Sequence, residues 1–232
     1  MGDLFADSLR PNVKVLEIAY LSPQIKKIRF QGDISKMNFE VGNSNIIRVS
    51  DTDYRNYTVA YHDKQNGIFD IIFHIHGNGV GSNYIDALKT NDEIYLSTPT
   101  GKKLYDQQVK QQFFFGYETS LGVAVALFPF LKSNKHQFQF YFELDEENKN
   151  VPKLLGLENS TVFFPKNNSF RNEKWLTDLP LFKTGEWNTA NFALVGNVKS
   201  VQTFRKVLKD KTQGKVLFAK VIGWKGKKGC ER

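Results

Sequence analysis

The hydrophobic pattern of this 232-residue chain changes its period about halfway along, and that change limits the folds it can adopt. Between Val13 and Tyr105 the apolar residues occur in short runs, separated by turn residues such as Asn66-Gly67. A period of two is typical of strands that bury one face, and six such strands beside one small helix predict a closed antiparallel barrel. The expected strands are Val13–Ala19, Ile25–Gln31, Ile46–Ser50, Tyr57–His62, Ile68–His76 and Glu93–Ser97.

A polar connector then leads into a second part, in which apolar strands alternate with helical segments. Such alternation predicts a parallel sheet, whose ligands bind beyond the carboxyl ends of the strands. We therefore expect two domains: a six-stranded antiparallel β-barrel in residues 1–107, followed by an α/β domain with a mainly parallel sheet in residues 108–232. The strands expected in the second domain are Phe113–Gly116, Gln137–Glu143, Thr161–Phe164, Phe192–Val195 and Lys215–Ile222, and the helices are Thr119–Leu131, Glu173–Asp178 and Ser200–Asp210.

The segment Arg55-Asn56-Tyr57-Thr58 brings a cation, a phenol and a hydroxyl to the start of one expected strand, Arg55 to Tyr61. Alternate residues of a strand share a face, so Arg55 and Tyr57 point the same way and Thr58 points across. A guanidinium can bind a pyrophosphate through two hydrogen bonds, and a tyrosine ring can pack on a flavin. The alternative is an ordinary barrel strand with one solvated arginine.

Three glycines, Gly77, Gly79 and Gly81, follow at every second position and lead through Ser82 into a short expected helix, Tyr84–Leu88. Glycine lets backbone N–H groups approach an anion without obstruction by a Cβ atom, and a helix N-terminus attracts negative charge. The spacing differs from the dinucleotide fingerprint G-x-G-x-x-G. The pattern indicates a phosphate-binding turn, with a plain connecting loop as the alternative.

Taken in order, these segments resemble the siderophore-interacting protein family of ferric-siderophore reductases, within the ferredoxin-reductase-like flavoproteins. That family has R-x-Y-T, an apolar strand ending in His-Gly, a small-residue loop with a serine, and a Gly-Asp-Glu-Thr turn. Near its C-terminus a strand ends in Gly-Glu, followed by a helix with an arginine and by Gly-Tyr-Trp. The corresponding segments here, which cover most of the chain, are Arg55–Thr58, Phe73–Gly77, Gly81-Ser82, Phe113–Ser120, Phe192–Asn197, Arg205 and Gly223-Trp224.

The resemblance implies an FAD-binding β-barrel domain in residues 1–107 and an NAD(P)H-binding-like α/β domain with a basic tail in residues 108–232. The implied activity is electron transfer from NAD(P)H or reduced ferredoxin through FAD to Fe(III) in a siderophore, which releases Fe(II) for iron acquisition. Catalysis is assigned to the flavin rather than to a side chain. The implied FAD contacts are Arg55, Tyr57, Thr58, Val59, His74, Ile75, His76, Gly77, Gly79, Gly81 and Ser82, and the implied contacts of a nicotinamide donor are Gly116, Glu118, Thr119 and Ser120.

Several positions depart from the family's pattern. Ala60 stands where an arginine often follows, and a Val80-Gly81 pair replaces Gly-Pro. Tyr117 replaces the aspartate of the turn and Asn197 replaces the glutamate, both in the part that would meet a nicotinamide. These last two changes leave NADH, NADPH and ferredoxin all open as electron donors.

Positive charge is concentrated at the C-terminal end of the chain. The whole chain carries a formal net charge of +8, and residues 199–232 hold eleven basic residues against Asp210 and Glu231. Such a surface attracts an anionic ferric complex or an acidic carrier protein such as ferredoxin, although a solvated tail would look the same. No nucleic-acid motif accompanies it. The candidate substrate contacts are Lys220, Lys225, Lys227 and Lys228, beside Trp224.

Four histidines and the single Cys230 argue against a resident metal site or an internal disulfide. His74 and His76 share one face of a strand, where we expect contact with the flavin's ribityl–phosphate chain, or barrel packing for His74. The first residues are acidic and have no long apolar core, which favours a cytoplasmic protein that does not enter a membrane. We expect a monomer.

Two other functions remain open at this point. One is a flavin reductase or electron-transfer module with another acceptor, such as a haem or iron–sulfur partner. The other is a non-catalytic siderophore-binding protein that has lost its flavin, against which the intact Arg55–Thr58 segment argues.

Overall fold

The computed structural model of this chain describes residues 11–157 and 160–219. These residues divide into two compact units. The described residues of the first unit are 11–103, 121–129 and 147–157, and those of the second are 104–120, 130–146 and 160–219.

Eight strands form the sheets in the described part of the first unit, and each of their pairings is antiparallel. Their burial alternates where only one face meets the core, as the sequence pattern indicated. In chain order they are β1 (Val13–Ser22), β2 (Ile25–Gly32), β3 (Asn43–Arg48), β4 (Tyr54–Tyr57), β5 (Val59–Asp63), β6 (Ile68–His74), β7 (Glu93–Ile94) and β8 (Thr100–Gly101).

These strands pair as two sheets, in the orders β5-β6-β2-β1-β7 and β4-β3-β8. A single antiparallel bridge between Ile47 and Leu96 joins the sheets, and next to it the Ser97 N–H donates to the Ile46 carbonyl over 2.9 Å. The chain itself joins them again where β4 leads into β5. The expected antiparallel sheet domain is thus confirmed, with eight strands in two sheets where the sequence predicted six strands in one closed barrel.

The expected strand from Arg55 to Tyr61 is interrupted at Thr58. β4 pairs with β3, whereas β5 pairs with β6, so the chain passes from one sheet to the other at this threonine. The next expected strand, Ile68–His76, ends at His74. Two residues that the sequence placed on that strand therefore lie in the loop beyond it.

A cluster of apolar side chains fills the first unit. Phe30 and Phe69 stack with their ring centroids 5.2 Å apart, and Phe73 meets Phe30 edge-on at 6.4 Å. Each of these three rings is at most 1% exposed. Complete burial of such rings contributes a few kcal/mol each, about 1.5–3 by transfer data, and gives the site-bearing strands a rigid support.

The second unit contains one parallel sheet, as the alternation of strands and helices predicted. Its three central strands are largely buried on both faces, which explains why they appear in the sequence as apolar runs. They are β9 (Gln111–Gly116), β10 (Gln137–Leu144), β11 (Thr161–Pro165), β12 (Asn191–Val195) and β13 (Lys215–Ala219), and their order in the sheet is β11-β10-β9-β12-β13.

Phenylalanine dominates the core of this unit. The Phe115 ring lies 4.4 Å from that of Phe170 and meets Phe204 at 90° and 5.4 Å. Phe113 meets Tyr141 edge-on at 4.8 Å. Edge-to-face pairs of this kind add to the energy of burial because the positive ring edge meets the negative ring face.

Five α-helices accompany the sheets in the described residues. They are α1 (Val80–Ala87), α2 (Leu121–Ser133), α3 (Val151–Leu154), α4 (Glu173–Thr177) and α5 (Val198–Lys211). The same part of the chain contains 3₁₀ turns at Glu118–Ser120, Glu146–Asn148, Ser169–Arg171 and Pro180–Phe182.

Helix α1 begins four residues before the expected start at Tyr84. Its first-turn hydrogen bond joins the Asn83 N–H to the Gly79 carbonyl over 2.9 Å. Gly81, predicted to belong to the connecting turn, therefore lies in the first turn of the helix. Among the described residues, every helix is too short or too polar to cross a bilayer.

Candidate functional site

Arg55 and Tyr57 lie on the same face of β4, as the strand period predicted. The Arg55 guanidinium donates to the Tyr54 carbonyl over 2.8 Å and lies 3.5 Å from the Asp53 carboxylate. The Tyr57 ring meets Phe73 edge-on at 4.8 Å. Support from the backbone on one side and from the core on the other restricts where both side chains can point.

Burial of Tyr57 raises the pKa of its phenol to about 12. The hydroxyl therefore stays protonated throughout the physiological range. It can serve as a neutral hydrogen-bond donor to an anion.

The loop between β6 and α1 is held closed by one serine. The Ser82 hydroxyl accepts from the His76 N–H over 3.1 Å and lies 3.2 Å from the His76 carbonyl, to which it can donate. Within this loop Gly77 has a φ of 54°, a left-handed conformation that glycine adopts without steric cost.

The N-terminus of α1 has no hydrogen bond from a capping side chain. Its N-cap residue is Gly79, which has no side chain to offer, and its first turn contains no acidic residue. The first N–H groups of any helix have no partner within the helix, so they are available to an external acceptor. The partial positive charge of the helix end favours an anionic one.

The two segments that the sequence singled out meet at Gly81. A Cβ atom built on this glycine would lie 3.0 Å from the Arg55 Cγ atom and 3.0 Å from the Tyr57 hydroxyl oxygen. Because a side chain would occupy this space, glycine is what allows β4 and the start of α1 to lie so close. The aliphatic part of Arg55, the phenol of Tyr57 and the first turn of α1 thus meet at one glycine.

These groups fit a flavin nucleotide. A phosphate needs several hydrogen-bond donors and positive charge, and the guanidinium, the phenol and the first-turn N–H groups provide both. The glycine leaves room for the close approach that a pyrophosphate requires. FAD would thus be held through Arg55, Tyr57 and residues 79–82.

Other predicted FAD contacts lie elsewhere in the first unit. Val59 is buried in the apolar core, which leaves its backbone to a ligand, and the partly buried Ile75 packs against that core. The rings of His74 and His76 lie 5.1 Å apart at the end of β6, with His76 exposed. Thr58 turns its carbonyl toward α2, where a Cβ on Gly122 would lie 3.2 Å from it.

Sequence reasoning missed the partners Asp53 and Gly122. Asp53 stands two residues before Arg55, and the strand period could have shown that the two share a face. Gly122 lies far along the chain from Thr58, and its role depends on close packing of a helix that no local pattern reveals.

In the second unit, the turn predicted to contact a nicotinamide is held by hydrogen bonds between its own residues. The Ser120 hydroxyl accepts from the Tyr117 N–H over 2.6 Å and lies 2.7 Å from the Tyr117 carbonyl. A Cβ on Gly116 would lie 2.5 Å from that hydroxyl oxygen, so the turn requires glycine there. Thr119 is the exposed side chain of the turn.

Glu118 is fully buried and takes part in an ion cluster beyond the ends of β9, β10 and β11. Its carboxylate accepts from the Lys166 ammonium over 2.8 Å and from the Asp145 N–H over 2.8 Å, and Lys166 also reaches the Asp145 carboxylate over 2.6 Å. Burial alone would lower the pKa of Lys166, but these carboxylates outweigh burial and raise it. The Lys166 ammonium also lies 4.3 Å from the centre of the Tyr117 ring.

Two of the departures from the family's pattern, Tyr117 and Asn197, lie in this unit and have structural roles there. A Cβ on Gly196 would lie 2.9 Å from the Tyr117 Cβ, so Tyr117 packs tightly against the turn after β12. The Asn197 side chain accepts from the Lys199 N–H over 3.0 Å and from the Ser200 N–H over 3.4 Å. It thereby caps α5 and occupies N–H groups that a ligand could otherwise use.

A second buried carboxyl, Glu143, lies at the end of β10. It accepts a hydrogen bond from the Ser200 hydroxyl over 2.8 Å. Burial raises its pKa, and the effect exceeds the opposing influence of Ser200, Arg171 and Lys166. The four lysines predicted to contact the substrate, Lys220, Lys225, Lys227 and Lys228, lie outside the described residues.

Comparisons with known proteins bear on the domain that contains this site. Residues 12–105 match the family model described as an oxidoreductase FAD-binding domain. No curated protein sequence matches the chain.

Solved structures match most of the chain at low sequence identity. The siderophore-interacting protein SipS from Aeromonas hydrophila is 17% identical, with a TM-score of 0.70 and coverage of 90% of both chains. Phthalate dioxygenase reductase is 15% identical, with a TM-score of 0.73 over 93% of this chain and 68% of that one. An intact type IV self-sufficient cytochrome P450 monooxygenase is 14% identical, with a TM-score of 0.72 over 90% of this chain.

This chain spans only 28% of the length of that monooxygenase. At such identities the likeness establishes the fold. Residues 12–105 thus match an oxidoreductase FAD-binding domain, in a chain that has the ferredoxin-reductase-like fold.

Proposed function

We propose that this protein is an FAD-dependent ferric-siderophore reductase. The observation that supports the proposal best is the convergence of Arg55, Tyr57 and Gly81 in a domain that matches an FAD-binding model. The likeness in fold to a siderophore-interacting protein, over 90% of both chains, supports the choice of substrate class.

The residues of the first unit would bind and orient the cofactor. Arg55 neutralises phosphate charge, Tyr57 donates a hydrogen bond, and the first turn of α1 offers backbone N–H groups. Ser82 keeps that turn in place through its hydrogen bonds with His76. Asp53, on the other side of Arg55, limits the directions in which the guanidinium can point.

Bound FAD supplies the ability to accept a pair of electrons as hydride and to deliver them singly. The substrate is Fe(III) held by the oxygen atoms of a siderophore. One electron converts it to Fe(II), whose lower charge weakens its bonds to hard oxygen ligands, so the ion can leave. We propose that Lys220, Lys225, Lys227 and Lys228 attract the anionic complex electrostatically.

The electron donor would be NADH, NADPH or reduced ferredoxin, with the turn of Gly116, Glu118, Thr119 and Ser120 as the proposed nicotinamide site. Gly116 and Ser120 shape this turn, and Glu118 anchors it through Lys166. Thr119 is the side chain left exposed for contact.

A second candidate is a reductase whose acceptor is another protein. Phthalate dioxygenase reductase is described as a modular structure for electron transfer from pyridine nucleotides to [2Fe-2S], and this chain covers 68% of it. The fold is therefore compatible with an iron–sulfur or haem acceptor. A non-catalytic siderophore-binding protein would need none of the phosphate-binding features of the first unit.

The two enzymatic candidates differ in the acceptor that oxidises the reduced protein. Protein loaded with FAD would be reduced without oxygen by NADH, by NADPH or by reduced ferredoxin, and then mixed rapidly with each acceptor. Ferric hydroxamate and ferric catecholate complexes would be compared with a [2Fe–2S] protein and a cytochrome, in the presence of an Fe(II)-trapping dye. We expect fast oxidation with formation of the Fe(II)–dye complex for a ferric siderophore. Fast oxidation by the protein acceptors alone would favour the second candidate.

A further inference from the structure

A fully buried lysine donates hydrogen bonds to the C-terminal end of α1. The other end of this helix contacts Arg55 and Tyr57. Lys26 is 1% exposed, although its neighbours on the same face of β2 are the fully buried Ile28 and Phe30. Its ammonium donates to the carbonyls of Ile85 and Asp86 over 2.8 Å each and lies 3.4 Å from that of Leu88. These are carbonyls of the last turn and of the C-cap residue.

The helix's own sequence does little to stabilise this end. The last turn of α1 contains no basic residue. It does contain Asp86, whose negative charge lies at the negative end of the helix dipole and is unfavourable there. The last four carbonyls of a helix have no partner within it. Lys26 provides from another strand both the hydrogen-bond donors and the positive charge that the helix lacks.

The same strand region also fixes the beginning of the loop that leads into α1. The Ile75 N–H donates to the Gln24 carbonyl over 2.7 Å. In the adjacent register, Ile25 pairs with His74 and Lys26 pairs with Phe73. One short stretch, residues 24–26, therefore sets both where the loop leaves β6 and where α1 ends.

The ammonium is enclosed rather than solvated. The Tyr20 ring lies 5.4 Å from the Lys26 nitrogen, and the Tyr20 hydroxyl donates to the Asp86 carboxylate over 2.6 Å. Burial lowers the pKa of Lys26, and the charge of Asp86 opposes that effect. An enclosed ammonium carries a desolvation cost that an apolar side chain of the same length would avoid. The hydrogen bonds from the Lys26 ammonium to the helix carbonyls offset this desolvation cost.

We infer that Lys26 is a positioning residue for the phosphate groups of the flavin. By holding the last turn of α1, it fixes the axis and the depth of an eight-residue helix, about 12 Å long, so that the first turn faces Arg55 and Tyr57. Its positive charge also reinforces the helix dipole that the phosphate meets at the other end. The inference rests on the proposed flavin function, because it assigns the anion at the start of α1 to FAD.

A structural role alone and a phosphate-positioning role differ in one measurable quantity. Riboflavin has the flavin ring and the ribityl chain but no phosphate, so it does not depend on the position of the helix N-terminus. The quantity to measure is the ratio of the dissociation constants of riboflavin and FAD, obtained by flavin fluorescence on the apo protein. General loosening of the domain would weaken both ligands and leave this ratio unchanged.

The variants are Lys26→Met, Lys26→Gln and Lys26→Arg, with Lys27→Met as the matched control. Lys27 is adjacent on β2 but half-buried, 3.8 Å from Asp70, and as the next residue of the strand it points to the opposite face. Lys26→Gln keeps hydrogen-bond donors for the helix carbonyls but removes the charge. If the Met variant does not fold, the Gln variant tests whether Lys26 positions the phosphate site. Lys26→Arg keeps both donors and charge.

We expect the Met and Gln variants to bind FAD roughly fivefold to thirtyfold more weakly, the range for a partly buried charge at a helix end, with riboflavin affinity changed less than twofold. The Arg variant and Lys27→Met should keep the wild-type ratio. Equal weakening of both ligands, or an unchanged ratio in the Met and Gln variants, would overturn the inference. If wild-type protein itself binds FAD no better than riboflavin, the proposed phosphate site fails, which is a separate outcome.

Discussion

Tyr57 and Gly81 approach so closely that a Cβ atom on the glycine would lie 3.0 Å from the tyrosine hydroxyl oxygen. One residue belongs to a barrel strand and the other to the first turn of a helix. Their contact brings the cationic face of β4 to a helix N-terminus that has no side-chain cap. In the proposed function, binding of the flavin phosphates depends on this meeting of two segments.

Substitution of Gly81 by valine should reduce FAD affinity about tenfold or more. The new side chain would push Arg55 and Tyr57 away from the start of α1, and overpacking of this kind costs roughly 1–3 kcal/mol. Fluorescence titration of the apo protein with FAD measures the effect. Asn83→Val, on an exposed position of the same helix, is the control and should bind FAD normally. Equal affinities of the two variants would show that the space around Gly81 is not used.

Arg55→Ala should yield protein that is largely free of flavin. A charge-assisted hydrogen bond contributes roughly 1.5–3 kcal/mol, so FAD affinity should fall about tenfold to a hundredfold. Arg48→Ala provides a matched control, because Arg48 lies on the adjacent strand β3 and also pairs with a nearby aspartate, Asp51. Flavin content after purification is the readout. Full occupancy in Arg55→Ala would refute its assignment to the phosphate.

Lys166→Met should destabilise the second unit strongly. It leaves the fully buried Glu118 carboxylate without its cation, and breaking a buried pair costs about 3–5 kcal/mol. The control Lys206→Met breaks an exposed pair with Glu173, for which about 0–1 kcal/mol is expected. Urea denaturation followed by tryptophan fluorescence compares them. The buried-pair interpretation would not survive similar unfolding midpoints for the two variants.

Glu143→Gln should stabilise the protein increasingly as the pH rises. Burial raises the pKa of Glu143 in the folded state, so the folded protein holds this proton more tightly than the unfolded chain. The wild type therefore loses stability as the pH rises from about 4.5, the ordinary value for glutamate, through the raised folded pKa. The neutral glutamine does not. Glu147→Gln, at an exposed position, is the control. Denaturation midpoints measured from about pH 5 to pH 8 should diverge for Glu143→Gln only, and parallel curves would be evidence against the raised pKa.

The sequence predicted the two kinds of domain and the order of their elements, because the apolar period is a local property. It did not predict that the strand around Thr58 divides between two sheets, since residues on both sides favour β structure equally. The predicted start of α1 was also wrong. Glycine is a poor helix former, so Gly79 and Gly81 indicated a turn, and only the close packing against β4 explains a glycine at position 81.

Part of the candidate site could also be predicted, because it depends on local sequence patterns. Arg55 and Tyr57 share a face by strand periodicity, and the glycines mark a close approach, so both halves could be found from the sequence. That they meet at Gly81 is a tertiary fact. Likewise Glu118 looked like a candidate contact for a nucleotide, whereas its pairing with Lys166 joins residues far apart in the chain.

Binding of FAD by residues 12–105 underlies the function proposed for this chain. The decisive measurement is the visible absorption spectrum of the purified protein, recorded before and after addition of FAD and removal of the excess. We expect flavin bands, shifted from those of free FAD, at one FAD per chain, which bleach on anaerobic reduction. A protein that stays colourless after FAD is added would contradict the proposed function and the assigned phosphate site together.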